Sequence, residues 1–245
     1  MATVFLALLY PLSALTPDPE TKTADFFEVL PVTPSRKIDH EVNLKGPFDS
    51  DVTETFLSGP RLFSQAIGHG DKSHGRPRAY LNWYRIERPT DEPARVLSVE
   101  DELQGGSTYS ITLGSAAMLL SPAQRLKTGP ASAIPERLNH FKAYKIVKGG
   151  PNGRDVELTG TLGPSRPKVL KPAYFCVPVE HWHHDEHSPV KSINDCLVVY
   201  ELESRDVKNS VTTLDQFGIN TLKTTSSKWL CVPARLVRDA ADTKK

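Results

Sequence analysis

The feature that most constrains this chain is a period. Phe175-Cys176-Val177-Pro178 and Leu230-Cys231-Val232-Pro233 are near copies about 55 residues apart. They hold two of its 3 cysteines. The agreement continues upstream of each copy: Val156 aligns with Val211, Leu162 with Phe217, Gly163 with Gly218 and Tyr144 with Tyr200. Each unit reads as an aromatic strand ending Tyr-x-Ile/Leu, a loop, a strand ending Leu/Phe-Gly, and a closing strand carrying the cysteine phrase. Weaker copies precede these, with Tyr84 and Leu120 in one and Phe27 and Phe63 in the other. The closing positions Phe63, Leu120, Cys176 and Cys231 keep nearly constant spacing, as do Phe27, Tyr84, Tyr144 and Tyr200. Four degenerate repeats is the count that this spacing gives.

A unit of that length cannot bury its own apolar face, so units must pack on one another. Around Tyr144 the strand period places His140, Lys142, Tyr144 and Ile146 on one face and Phe141, Ala143 and Lys145 on the other. Both faces are apolar near the middle, which suits an inner strand of a sandwich or barrel. The 20 prolines and 15 glycines punctuate turns rather than long helices. The expected fold is all-β, its four repeats paired into two sandwich- or barrel-like domains, with a four-bladed propeller as the alternative.

The Pro-rich stretch 127–137 reads as a linker between a domain of repeats 1 and 2 (24–126) and one of repeats 3 and 4 (138–236), followed by a charged tail, 237–245. Residues 1–23 form an apolar N-terminal segment. Its core, 3–15, is too short to span a membrane as a helix. It reads either as a secretory signal lacking a basic flank or as the closing strand of a truncated unit, with Leu9 in phase with Phe63.

The last two units resemble a little-characterised family of repeat domains in secreted bacterial proteins. Its repeats read approximately Cys-Tyr-Lys-Val, then Asp-Gln-Phe-Gly, then Leu-Cys-x-Pro. "AYKI" (143–146), "TLG" (161–163) and "FCVP" fit that order, as do "VYEL" (199–202), "DQFG" (215–218) and "LCVP". Family repeats tend to carry a cysteine just before the tyrosine, where this chain has Ala143 and Val199, with Trp83 and Phe26 in the earlier units. The resemblance implies a secreted, non-enzymatic repeat protein and supplies no catalytic residues.

Cysteines 176 and 231 read as buried small hydrophobes; the alternative is a Cys176–Cys196 disulfide. "HWHHDEH" (181–187) is the one cluster with chemical promise. On an extended segment His181, His183, Asp185 and His187 would share a side and could ligate Zn²⁺ or Cu²⁺, although the spacing matches no established zinc motif. Read otherwise, it is a solvated loop in which Trp182 could stack on a sugar or a partner side chain. "IGHGDKSHG" (67–75), with His69, Asp71 and His74, occupies the corresponding place after the first closing strand.

Charge is nearly balanced, 30 basic residues against 29 acidic, which argues against nucleic acid or an anionic membrane as a bulk electrostatic partner. The chain contains no Gly-x-Ser-x-Gly elbow, phosphate loop or dinucleotide fingerprint. The expectation is a non-enzymatic structural or binding module, secreted, periplasmic or at a cell surface, with a protein or glycan partner. A metal-binding or metal-assisted hydrolytic protein and a carbohydrate-binding module are the alternatives.

Overall fold

A computed structural model describes residues 25–35, 39–69, 79–89, 92–126, 133–160 and 163–237. The signal-like segment, Asp71, His74, much of the 127–137 stretch and most of the tail lie outside them. Their regular structure is thirteen strands and one 3-10 turn at Glu102–Gln104. The strands are β1 (Phe26–Pro34), β2 (Asp39–Lys45), β3 (Thr53–His69), β4 (Tyr80–Glu87), β5 (Arg95–Asp101), β6 (Tyr109–Leu126) and β7 (His140–Gly149). After them come β8 (Leu158–Gly160), β9 (Gly163–Ser165), β10 (Val169–His183), β11 (Glu186–Ser188), β12 (Cys196–Asp215) and β13 (Gly218–Leu236). No helix among the described residues is long and apolar enough to cross a membrane.

Eight of these strands close on themselves. Following hydrogen-bonded neighbours gives β1–β13–β12–β10–β7–β6–β4–β3 and back to β1, with every pairing antiparallel. The all-β expectation holds, but the two halves do not build separate sheets. Strand β6 pairs with β7 across the 127–137 stretch, and β1 pairs with β13. The physical reason lies in the edges. Each closing strand pairs with its own opening strand on one side and takes the next unit's opening strand on the other. Any smaller grouping leaves unpaired edges, and closure removes them.

Register defines the unit. Trp83 lies opposite Leu120, Ala143 opposite Cys176 and Val199 opposite Cys231. In the first unit the matching pair is Val29 opposite Ser64, and the residue after Val29 is Leu30. The cross-unit pairings agree, because Cys231 faces Phe27 just as Leu120 faces Phe141 and Cys176 faces Leu197. The sequence alignment of Phe27 with Tyr84 and of Phe63 with Leu120 is thus out of phase; the equivalents are Leu30 and Ser64. A preference for aromatic residues at those positions caused the slip.

These eight paired residues form one layer of the barrel interior, and none is more than 1 % exposed. Serine is explained by its neighbour. The indole Nε1–H of Trp83 needs an acceptor in an otherwise apolar interior, and it donates to Ser64 Oγ at 3.0 Å. A second layer pairs Phe27 with Ala66, Leu81 with Pro122, Phe141 with Pro178 and Leu197 with Pro233. These prolines do not end the strands, which run on to Leu126, His183 and Leu236. Each lies two residues beyond the last paired position on the following unit's opening strand. At the counterpart Ala66 the N–H points to the following unit's opening strand and donates to Ala79 O at 2.8 Å; the prolines lie past the end of the ladder on that side, where losing one donor is tolerated.

All three thiols are free and buried. Cys176 and Cys231 lie in the interior cluster, whereas Cys196 belongs to the cluster on the outer face. Cys176 pairs with Leu197, so its neighbour Cys196 projects to the opposite side. That alternation rules out the alternative 176–196 bond, and the reading of buried small hydrophobes fits. Burial pushes the Cys196 thiol up to about 12 and the two interior thiols higher than their ordinary value.

The outer face is covered by the hairpins themselves. The strand preceding each closing strand pairs with the far end of the closing strand two units away. Leu44 (unit 1) meets His181 (unit 3), and Val99 (unit 2) meets Leu236 (unit 4). Leu158 (unit 3) meets His69 (unit 1), and Thr213 (unit 4) meets Arg125 (unit 2). Every unit is thus fastened to both neighbours and to the unit opposite. This double cover explains why strands such as β7 read as apolar on both faces.

Candidate functional site

The cross-unit contacts bring carboxylates to buried hydroxyls. Asp215, at the β12–β13 turn, accepts from Tyr84 Oη and Asn82 Nδ2 at 2.7 Å each, and from the Phe217 N–H at 2.9 Å. Burial raises its carboxyl above the usual range despite those donors. Asp101 is bonded in the same way two units on, accepting from Tyr200 Oη at 2.6 Å, from the Tyr109 hydroxyl, and from the Gln104 N–H at 2.9 Å. Facing unit 3 the arrangement changes. The corresponding strand position is Gly46, and Asp49 caps its N–H at 2.8 Å. Asp49 then pairs with the buried Lys142 at 2.9 Å, with Glu92 at 3.5 Å from the same ammonium. Lys142 is the counterpart of Asn82, two residues before the tyrosine. Tyr144 Oη is left without an acceptor.

Removing each tyrosine hydroxyl should separate the two situations. Tyr84→Phe and Tyr200→Phe are expected to cost about 1–3 kcal/mol, since each leaves a buried acceptor short of a partner. Tyr144→Phe should be neutral to within about 0.5 kcal/mol or stabilising, because no bond is broken. Urea unfolding of the three variants measures this; equal losses would contradict the asymmetry.

A histidine cluster surrounds the turn that carries Asp215. His140 on β7 and His181 on β10 stack with centroids 4.8 Å apart and planes 11° from parallel. Gln216 bridges them: its Oε1 lies 3.1 Å from His140 Nε2, and its Nε2 lies 3.0 Å from His181 Nε2. As the amide is placed, His140 donates from Nε2 and His181 accepts at Nε2, so one side chain fixes both tautomers. Phe26 and His69 make the matching stack in unit 1, at 4.5 Å and 11°. Burial holds both bridged imidazoles neutral, His140 at about 3 and His181 at about 4. Phe217 packs against His40, His183, His181 and Tyr84, with ring centroids 4.3, 5.0, 5.9 and 4.6 Å away.

Of the expected metal ligands, His181 and His183 share a side, but His187 does not join them. The chain reverses at His184, where φ is +52°, and β11 runs back along β10 with Trp182 opposite His187. The rings of Trp182 and His187 stack at 4.6 Å, and His187 Nε2 lies 3.1 Å from Glu180. A hairpin replaces the extended segment assumed from sequence, so His181, His183, Asp185 and His187 do not converge as a ligand set. No group of metal-ligating side chains is assembled among the described residues. One face of Trp182 is taken by His187, leaving less of it for a ligand than the sequence led one to expect.

The His40 ring leads from the cluster to the surface. There β2, β3 and the end of β4 enclose an open groove of about 660 Å³. Asp39, Glu41 and Glu87 line it together with Arg61 and Arg88. Phe56, 39 % exposed, lies in its wall with the Arg88 guanidinium 5.8 Å from its ring centroid. Arg88 has φ +52°, a sparsely populated conformation for a non-glycine residue. Glu87 is held in place by Ser58 Oγ at 2.5 Å.

Comparison with known families matches residues 80–233 to a repeat of unknown function, DUF7450. The chain belongs to that family. The DUF7450 match starts at the first residue of β4 and ends at Pro233, so it spans the three units that carry the tyrosine and leaves out the unit with Leu30 and Ser64. No curated protein and no solved structure matches the chain. Within the DUF7450 span, Asp215-Gln216-Phe217-Gly218 supplies the latch, the imidazole bridge and the aromatic hub in turn. Gly218 follows with φ +102°, a conformation that favours glycine. His40, His140, Gln216, Arg61 and Arg88 were not singled out from the sequence; they lie far apart along the chain. The Asp-Gln-Phe-Gly motif was the signal that led nearest to them.

Proposed function

We propose that the protein is a non-enzymatic binding module, secreted or held at a cell surface, that grips an extended segment of a partner protein in the groove beside His40. The observation that carries this is the groove itself: carboxylates and guanidinium groups flank a half-exposed phenylalanine in a depression of ligand size. Charges of both signs favour a peptide carrying both signs over a uniformly charged polymer. The buried polar groups nearby support a structural rather than a chemical role. Asp215, Asp101 and Gln216 have their polar atoms committed to fastening one unit to another.

Screening the full chain against a peptide library of mixed charge tests the reading. Arg61→Glu with Arg88→Glu is expected to weaken binding of the selected peptides by about tenfold or more, with the thermal midpoint nearly unchanged because both side chains sit at the surface. Binding that survives the double change would overturn the assignment to the groove. A glycan array that gives hits where peptides give none would move it to the carbohydrate class. Secretion is tested separately by fractionating the native host.

A further inference from the structure

The histidine pair connects directly to the groove. Gln216 sits between two stacked imidazoles, and the next residue, Phe217, stacks on His40 in the groove wall. We propose that the His140–Gln216–His181 bridge is an acid-sensitive fastening that holds the β12–β13 turn against the barrel, so that lowering the pH frees Phe217 from His40 and loosens the groove. This inference rests on the groove being the binding site.

The hydrogen-bond count explains the sensitivity. At neutral pH one carboxamide serves one ring as acceptor and the other as donor. A proton added at His140 Nδ1 leaves the bridge intact, because Nε2 already donates. One added at His181 Nε2 faces the amide NH₂ and is accommodated only if the amide flips and His140 becomes the acceptor. A second proton leaves two N–H groups facing a single oxygen and puts two cations face to face at 4.8 Å.

No facing group relieves this. On β10 and β11, His183 and His187 oppose a charge on His181, and Lys191, in the segment after β11, opposes one on His140. His184 opposes a charge on His183, which Glu186 only partly offsets. From β2 the nearest ring of the cluster is His40, 5.7 Å from His183. On β7, Lys142 is occupied by Asp49 and Glu92. On β12, Asp215 has both oxygens engaged by Asn82, Tyr84 and the Phe217 N–H.

The sign follows from burial. Both imidazoles titrate lower in the closed state than the ordinary value of 6.5. The open state therefore takes up protons first as pH falls through that value, and the fastening is complete above it and weakens progressively below it, down to about 3–4.

Deuterium uptake by peptides covering Asp215–Asn220 in the full chain, corrected for intrinsic exchange, reads the turn without any ligand. Protection is expected to fall at least tenfold between pH 7.5 and 5. Gln216→Met, which keeps the volume and removes the bridge, should show low protection at both pH values. His140→Phe, which installs the aromatic that unit 1 carries at Phe26, should shrink the pH step. Protection that stays constant down to pH 5, or a full pH step in Gln216→Met, would overturn the proposal. Failure of the groove reading appears elsewhere, as absence of peptide binding at pH 7.5 with the turn still releasing in acid.

Discussion

Replacing Ala143 by cysteine is expected to yield a disulfide with Cys176 inside the barrel and to raise the unfolding free energy by about 3–4 kcal/mol. Ala143 and Cys176 are directly opposed on β7 and β10, and both are fully buried. Directly opposed residues in an antiparallel ladder lie about 4.5–5.5 Å apart at Cα, within the range that a disulfide spans. The stricter condition is the type of pair. Pro178, two residues on, has no N–H to give to β7, so the strand turns its bonding groups away from β7 there and, by the period of two, at Cys176 as well. Ala143 and Cys176 are then a non-hydrogen-bonded pair, the kind whose side chains approach more closely. The bond closes a loop of roughly 33 residues, and the loop entropy gives the figure above. Denaturant midpoints with and without reductant, and the mass of the non-reduced protein, measure it. Val199→Cys against Cys231 repeats the test in unit 4, where the same register holds. Free thiols after oxidative refolding of both variants would show that the interior cannot accept the bond.

The opposite result is expected at the turn of β12 and β13, where Asp215→Ala should cost about 3–5 kcal/mol. Three donors would be stranded at once: the Tyr84 hydroxyl, the Asn82 amide and the Phe217 N–H. Tyr84 is 0 % exposed and Asn82 likewise, so water cannot replace the carboxylate without opening the structure. Asparagine is not a rescue, because its NH₂ group would meet a donor whichever way it pointed. If the loss measured by urea unfolding is under about 1 kcal/mol, the carboxylate is not what holds this turn. Adding Tyr84→Phe to Asp215→Ala should cost less than the two separate losses combined, since both changes break the same bond.

Much of the architecture was readable in the chain, for a reason that also limits the reading. A period of two and a repeat spacing are local properties, so the opening strands at Tyr84, Tyr144 and Tyr200 and the closing strands at Leu120, Cys176 and Cys231 were placed correctly. Unit 1 slipped because Ser64 is explained only by Trp83 of the next unit, a contact with no local trace. Pairing across the 127–137 stretch was missed for the same reason, since a Pro-rich stretch looks like a boundary whether or not a ladder continues past it. The histidines show the limit most clearly. "HWHHDEH" drew attention as a compact string, yet His181 finds its partners in His140 and Gln216, and His187 finds Trp182 and Glu180.

The closing of β1 against β13 sets the order in which this protein can come into being. Strand β1 is among the first described residues and β13 among the last, and neither has its full set of neighbours until the other is present. A nascent chain could form single hairpins as each is completed, but the ring and the links between opposite units must wait for residue 236. Non-local pairing of this extent makes folding slow relative to that of helical domains of similar size. Until β13 arrives the ring carries open edges, and that one strand closes it in a single step.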